Sequence, residues 1–328
     1  MRAVITGGAG FIGSHLAEAL LGRDDEVSVL DDLSTGRREN VRHLEDHPAF
    51  SFHLGSAADA DRVARVLEGA DVVFHLAAAV GVRLIIEKPV HTIETNVGAT
   101  AVVLRAAARQ GIPVVFTSTS EVYGKWDEAP FREDQDLHLG PTCRSRWSYA
   151  CSKALDEWLA LAWFREEGLP VVIARLFNTV GPRQEGRYGM VLPTFVRQAL
   201  REEPITVFGD GGQSRCFAHV GDVVEALLLL SRTRRAHGQV VNVGSAREIS
   251  IGDLARLVRE RTGSRSPIVH VPYAEAYERG FEDMRRRVPD LRRLRELTGG
   301  FEPQTPLEEI IDQVILDQRR EGGRAGRR

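Results

Sequence analysis

Ala3-Val4-Ile5-Thr6 leads into Gly7-Gly8-Ala9-Gly10-Phe11-Ile12-Gly13, and an amphipathic helical pattern follows from Ser14 to Leu21. The order predicts a strand, a tight glycine turn and a helix. Gly7 permits the turn, Gly10 lets backbone N–H groups approach phosphate oxygens with no Cβ between, and Gly13 lets the helix pack close to the strand. The free N–H groups of the first helical turn then face an anion, which makes a dinucleotide the first expectation. A second run, Val27-Ser28-Val29-Leu30, ends in Asp31. The interval from Gly13 is close to the roughly 20 residues expected of an acid that binds the adenosine ribose. Its carboxylate accepts from the ribose hydroxyls and repels a 2′-phosphate, selecting NAD over NADP, with Arg37 and Arg38 working slightly against that preference.

With 328 residues, 43% of them hydrophobic, the chain can bury a large core and build two lobes. A net charge of −3 gives no general attraction to nucleic acid or anionic lipid, although Arg285-Arg286-Arg287 and the stretch from Arg319 to Arg328 are locally basic. No run is apolar for long enough to span a bilayer, and residues 319–328 read as a solvated, disordered tail. Cys143, Cys151 and Cys216 show neither metal spacing nor a disulfide framework, so a reducing cytoplasm is expected. No metal is expected either, and His75, His91 and His219 read as structural.

Short apolar runs at 71–76, 112–117, 171–177 and 239–243 alternate with helical patterns. They predict an α/β fold, a Rossmann-type parallel sheet with helices on both faces. Past Phe177 the pattern is broken by glycines and becomes irregular, and it does so again from about Ser250. The expected division is a dinucleotide-binding domain of residues 1–177 and 219–248 and a smaller discontinuous lobe of 178–218 and 249–318. Substrate is expected in the crevice between them, at the strand C-termini. The helix from Ser148 to Gly168 is apolar on more than one face, carrying Leu155, Trp158 and Trp163. Paired with the helix from Ala99 to Ala108 it predicts an intersubunit four-helix bundle and a homodimer.

Tyr149 and Lys153 are one helical turn apart and leave the same face. A phenol of reference pKa about 10 is a poor base, but a neighbouring ammonium and a positively charged nicotinamide lower it. Tyr149 then takes a hydroxyl proton from substrate as hydride leaves, and Lys153 also holds the nicotinamide ribose. Thr119, at the end of a strand, is placed to hydrogen-bond the same oxygen.

With these residues together, the chain resembles an extended short-chain dehydrogenase/reductase of the nucleotide-sugar epimerase/dehydratase family over nearly its whole length. The likeness rests on Thr6 to Gly13, His75-Leu76-Ala77-Ala78-Ala79, Asn96, Tyr149 with Lys153, Asn178 and Gly181-Pro182-Arg183. It implies NAD held by Gly7, Gly10, Phe11, Ile12 and Gly13, by Asp31, Asp32 and Ser34, and by Ser56 and Ala57. Leu76, Ala77, Ala78, Asn96, Tyr149 and Lys153 complete the cofactor set. It also implies an NDP-sugar substrate met by Asn178, Arg183, Leu192, Val207, Arg215 and Arg287.

Within the family, Ser120-Glu121 is informative. Epimerases acting only at C4 lack an acid there, and hexose 4,6-dehydratases carry Asp-Glu, though GDP-mannose dehydratases do have Ser-Glu. Ser120-Glu121-Val122-Tyr123-Gly124, Arg146-Trp147-Ser148-Tyr149, Gln213 to Phe217 and Gly280-Phe281-Glu282-Asp283 ahead of Arg287 resemble UDP-glucuronate decarboxylases. The catalytic set implied is Thr119, Ser120, Glu121, Tyr149, Lys153 and Arg287. Oxidation at C4 makes the C6 carboxylate a β-keto acid, and loss of CO₂ gives UDP-xylose or its 4-keto precursor. The segment from Gln184 to Met190 and the loop from Val80 to Glu87 depart from the decarboxylase pattern. A UDP-glucuronate or UDP-glucose 4-epimerase, a 4,6-dehydratase and a non-catalytic NAD sensor are the competing readings.

Overall fold

The computed structural model describes residues 1–81, 87–126, 128–186, 190–272, 275 and 284–325. The principal sheet contains β1 (Arg2–Thr6), β2 (Glu26–Asp31), β3 (Phe50–Leu54), β4 (Val72–His75), β5 (Val114–Thr119) and β6 (Val171–Leu176). Four short strands follow, β7 (Thr179–Val180), β8 (Ile205–Phe208), β9 (Ser214–Cys216) and β10 (Ala218–His219), before β11 (Gln239–Val243) completes that sheet. Its order is β11-β6-β5-β4-β1-β2-β3, and every neighbouring pair is parallel. The helices are α1 (Phe11–Leu21), α2 (Ala60–Val66), α3 (Pro89–Gln110), α4 (Arg146–Glu167), α5 (Val191–Leu200), α6 (Val220–Arg232), α7 (Ile251–Thr262), α8 (Arg292–Thr298) and α9 (Leu307–Ala325).

Alternate strand residues feed two cores. Ala3, Ile5, Val27 and Val29 pack with Leu16 and Leu20 of α1 and Val223 and Leu227 of α6. Val4, Leu30, Val73 and Ile173 pack on the other face with Val103 and Leu104 of α3 and Ala160 of α4. Burial on both faces explains why the strands read as nearly continuous apolar runs, and the architecture is the Rossmann-type sheet expected. Strand order reverses at β1, between β2 and β4, so a crevice opens beyond their carboxyl ends. Pro89 opens α3, and Gly111 and Gly168, at φ 68° and 69°, close α3 and α4 in the left-handed conformation.

A third core joins Leu192, Phe195 and Val196 of α5, Ile205 and Val207 of β8, Leu254 and Val258 of α7, and Ile310, Ile311 and Val314 of α9. Two small pairings flank it: β8 with β13 (Ile268–Val271), parallel, and β9 with β12 (Glu248–Ser250), antiparallel.

Two boundaries differ from the sequence reading. Helix α8, expected in the smaller lobe, sends Leu294 and Leu297 into the core of the large sheet, beside α6 and β11. Residues 319–325, expected to be a disordered tail, continue α9 to Ala325: good helix formers carry it through Glu321, and Gly322 and Gly323 extend it against their own propensity. Residues 326–328, residues 82–86 of the Val80 to Glu87 loop, residues 187–189 and the Gly280-Phe281-Glu282-Asp283 motif lie outside the described residues.

Candidate active site

The turn after β1 is shaped by backbone proximity. Gly7 has φ +75°, and a Cβ there would lie 2.7 Å from Ala77 N; at Gly13 it would lie 2.6 Å from Gly8 Cα. Gly8, unremarked in the sequence, is equally constrained, since a Cβ would meet the Val29 side chain at 2.6 Å. Gly10 caps α1 with no side-chain hydrogen bond, which leaves the helix N-terminus to an anion.

At the end of β2, Asp31 accepts from Ala9 N at 2.9 Å through one oxygen and from Leu33 N at 2.8 Å through the other. Burial pushes its pKa up, against those two backbone donors. Each oxygen keeps a lone pair for a ribose hydroxyl. Arg37 pairs with Glu185 and Arg38 is held bidentately by Glu45, so both guanidinium groups are engaged by carboxylates. Asp32, Ser34, Ser56, Ala57, Leu76, Ala77 and Ala78 line the same cleft, as do Phe11 and Ile12. This cradle, helix end and acid fit NAD.

Asn96 does not line the cleft. It is buried, accepts from Ala79 N at 2.8 Å and donates to Ser152 Oγ at 3.3 Å, so it fixes the backbone beyond β4 from behind. Helix α3 carries it beneath that loop.

Strand β5 delivers Thr119 to the crevice, and a 3-10 turn over Ser120–Tyr123 follows. The Thr119 hydroxyl accepts from Glu121 N at 3.2 Å and hydrogen-bonds Tyr149. Tyr149 and Lys153 come from α4, buried on one face, with Lys153 Nζ 3.9 Å from the centre of the Phe116 ring. Burial raises the Tyr149 pKa, helped by the Glu121 and Asp156 charges; the Thr119 hydrogen bond and Arg287 pull the other way. The protein's own groups therefore work against the lowered phenol expected from the Tyr149 and Lys153 spacing, because desolvation of a fully buried hydroxyl outweighs nearby cations.

Arg287 Nη1 stands 3.8 Å from Glu121 Oε1, and both line the cleft with Ser120, Tyr149 and Lys153. The neighbouring Val288 carbonyl accepts from Phe131 N at 2.7 Å, which anchors the Arg287 backbone. Arg215 of β9 donates from Nη1 to Ser214 O and Met284 O, and Asn178 donates to Cys216 O at 3.4 Å; both line the cleft, as does Leu192.

One expected substrate residue, Val207, is placed differently. Val207 is fully buried in the third core, while Thr206 and Phe208 on either side of it line the cleft: the strand's two-residue period puts Val207 on the inner face. Arg183, at φ +69°, also lines the cleft, while its guanidinium contacts Glu18 at 2.7 Å, His15 at 2.6 Å and Asn40 O at 3.1 Å and its N–H donates to Asp317. Conversely, Arg146 lines the cleft from the first turn of α4, stacked over Trp147 at 5.7 Å. Its position three residues before Tyr149 was a legible signal.

The cleft encloses about 1150 Å³. That exceeds an ordinary single-ligand pocket and suits a dinucleotide with a second nucleotide beside it. A model of the NAD dependent epimerase/dehydratase family matches residues 3–244. The chain belongs to that family. It is 42% identical over 316 residues to the UDP-N-acetyl-alpha-D-glucosaminuronate decarboxylase of Bacillus cytotoxicus, covering 96% of each chain. It is 36% identical to UDP-glucuronic acid decarboxylase 1 of Xenopus tropicalis, over 98% of this chain and 72% of that one. Among solved structures, the Thermus thermophilus UDP-glucose 4-epimerase in complex with NAD superposes with a TM-score of 0.85 at 31% identity, over 97% of this chain and 99% of that one. NAD is accordingly the family member's cofactor.

Among the described residues no group of histidine, cysteine or acidic side chains is arranged to hold a metal ion. His75 is fully buried between Thr6 and Thr100, and His219 caps α6 by accepting from Gly221 N at 3.1 Å. No described helix is long and apolar enough to cross a membrane.

Proposed function

We propose that this protein decarboxylates a UDP-hexuronate through a 4-keto sugar. The observation that carries the reading is the Glu121–Arg287 pair, 3.8 Å apart and electrostatically coupled to Tyr149 within one cleft. A reversible oxidation at C4 needs Tyr149, Thr119 and Lys153; an additional acid and guanidinium supply what removal of a carboxylate needs. The relatives named as decarboxylases support the same chemistry.

Held by the Gly7 to Gly13 turn and Asp31, NAD would supply the acceptor and donor for a hydride at C4 of the sugar. Tyr149 takes the proton of the C4 hydroxyl, with Thr119 donating to the same oxygen. In the β-keto acid so formed, the C5–C6 bond breaks, CO₂ leaves and its electron pair becomes an enolate whose oxygen Tyr149 and Thr119 hydrogen-bond. Arg287 orients the departing carboxylate, and Glu121 delivers a proton to C5 directly or through water. Asn178 and Arg215 hold the diphosphate.

UDP-glucuronate and UDP-N-acetylglucosaminuronate are the two substrates proposed, the second favoured by the 42% relative. Incubation of the purified protein with each, and with UDP-glucose, followed by mass spectrometry tests this. A product lighter by CO₂ from a uronate is expected. Unchanged mass with inverted C4 would identify a 4-epimerase, loss of water a dehydratase, and NAD binding without turnover a sensor.

A cytoplasmic homodimer belongs to the same proposal. Cys143 and Cys151 are exposed and unbridged, as a reducing compartment allows. Helix α3 leaves Val90 and Ile93 exposed and α4 leaves Leu155 and Trp158, the latter 61% accessible, which suits a partner surface. A monomeric mass in sedimentation at micromolar concentration would count against it.

A further inference from the structure

Asp156 is a buried acid with no role in the chemistry above. It is fully inaccessible on α4, three residues past Lys153, with Oδ2 3.6 Å from Lys153 Nζ. Thr100 of α3 faces the same carboxyl. The Thr100 hydroxyl lies 3.2 Å from His75 Nε2, and His75 Nδ1 lies 2.7 Å from the Thr6 hydroxyl at the end of β1. A line of polar side chains therefore runs through the interior from the lysine to the end of β1, directly before Gly7.

Burying a carboxylate is costly unless a cation accompanies it. The groups around Lys153 assign that cation. From β5 the Phe116 ring lies 3.9 Å below Nζ, and from β4 His75 is neutral, burial holding its pKa down to about 3. On α4, Glu157 is taken by Arg175 of β6, through Nε at 3.0 Å and Nη2 at 2.7 Å, and by the Ser118 hydroxyl. Tyr149 lies one turn back, and beyond it Glu121 and Arg287 face each other. Among the described residues, Lys153 is the cation recorded within ion-pair distance of Asp156.

We propose that Asp156 is a positioning residue that acts through Lys153, holding the lysine as an ammonium on the helix face it shares with Tyr149. The proposal rests on the reading that Tyr149 and Lys153 carry the proton transfer. Burial drives Lys153 toward the neutral amine, and the Asp156 charge opposes it. A neutral lysine would neither help a phenol ionise nor hold a ribose as firmly.

The chain has three lysines, Lys88, Lys125 and Lys153. Holoenzyme grown on lysine carrying 13C at Cε therefore gives three side-chain signals, and Lys153→Arg assigns the one required. In the wild type that signal is expected to be an ammonium at neutral pH; a neutral amine there overturns the proposal without any variant. In Asp156→Asn the Lys153 midpoint is expected to fall by about one pH unit or more, a tenfold change. The alkaline limb of kcat should move the same way, with KM within about twofold. Asp156→Glu should restore both. An unchanged midpoint, or a loss of kcat uniform across pH, overturns it. Release of CO₂ by the wild type is recorded alongside, so failure of the decarboxylase reading appears there and not in the lysine titration.

Discussion

Glu121 and Arg287 meet 3.8 Å apart at the floor of the cleft, the acid on a turn directly after β5 and the guanidinium on a segment tied to Phe131. Both side chains are nearly enclosed, so each charge acts on a reacting group with little screening. Glu121→Ala and Arg287→Ala are each expected to lower kcat for CO₂ release by about 100-fold or more. Bound NAD should be retained. Turnover within about threefold of wild type would refute these roles.

Tyr149→Phe keeps the buried ring and removes the hydroxyl. The expected result is a loss of kcat of about a thousandfold with little change in melting temperature. Because burial and Glu121 hold the phenol up, the active phenolate grows as pH rises, and log kcat should climb with pH through the neutral range. A flat profile in stopped-flow assays would exclude Tyr149 as the base.

Asp31→Ala and Gly7→Ala both test the cradle. The first removes the ribose acceptor and is expected to leave protein purified without nucleotide, read from the ratio of absorbance at the nucleotide and protein maxima. The second forces a Cβ to 2.7 Å from Ala77 N at φ +75° and should cost about 1–3 kcal/mol of stability as well. Full NAD occupancy in Asp31→Ala would disprove the assignment.

His75 gives a stability signature in acid. Its folded pKa is held down to about 3 by burial, while the unfolded chain protonates near 6.5. The unfolded state therefore takes up the proton first: the contribution is complete above the unfolded value and is lost as pH falls toward the folded one. His75→Gln should flatten the acid limb of a urea-unfolding series by up to about 1.4 kcal/mol per pH unit. Parallel limbs in the two proteins would rule it out.

Arg183 is expected to brace the molecule and leave substrate binding alone. Its contacts with Glu18, His15 and Asn40 tie the loop before α5 to α1 and to the segment between β2 and β3. Arg183→Ala should lower the melting temperature by a few degrees, since a partly exposed ion pair is worth about 1 kcal/mol, with KM for the UDP-sugar within about twofold. A tenfold rise in KM, about 1.4 kcal/mol, would return Arg183 to the substrate site.

What could be read from residues alone was whatever short-range rules impose. Gly7, Gly10 and Gly13, Asp31, and the Tyr149 and Lys153 pair are set by turn geometry, strand ends and helical periodicity, so the sheet and the convergence of these residues on one cleft were legible. The edge strand Phe50–Leu54 was not, because its exposed Ser51 and half-buried Phe52 and His53 lack the apolar continuity of the inner strands. The packing of α8 on the large sheet was not legible either, because Leu294 and Leu297 fit either core equally well as sequence.

The sequence by itself therefore determined the fold class, the glycine turn and the shared helix face of Tyr149 and Lys153, each encoded within a single strand, turn or helix. Only the tertiary structure decided that Asn96 braces Ala79, that Val207 faces inward, that Glu18 claims Arg183 and that Asp156 is buried against Lys153. Those outcomes depend on which elements pack together and on what water is excluded, and desolvation and long-range pairing leave no periodic trace along a chain.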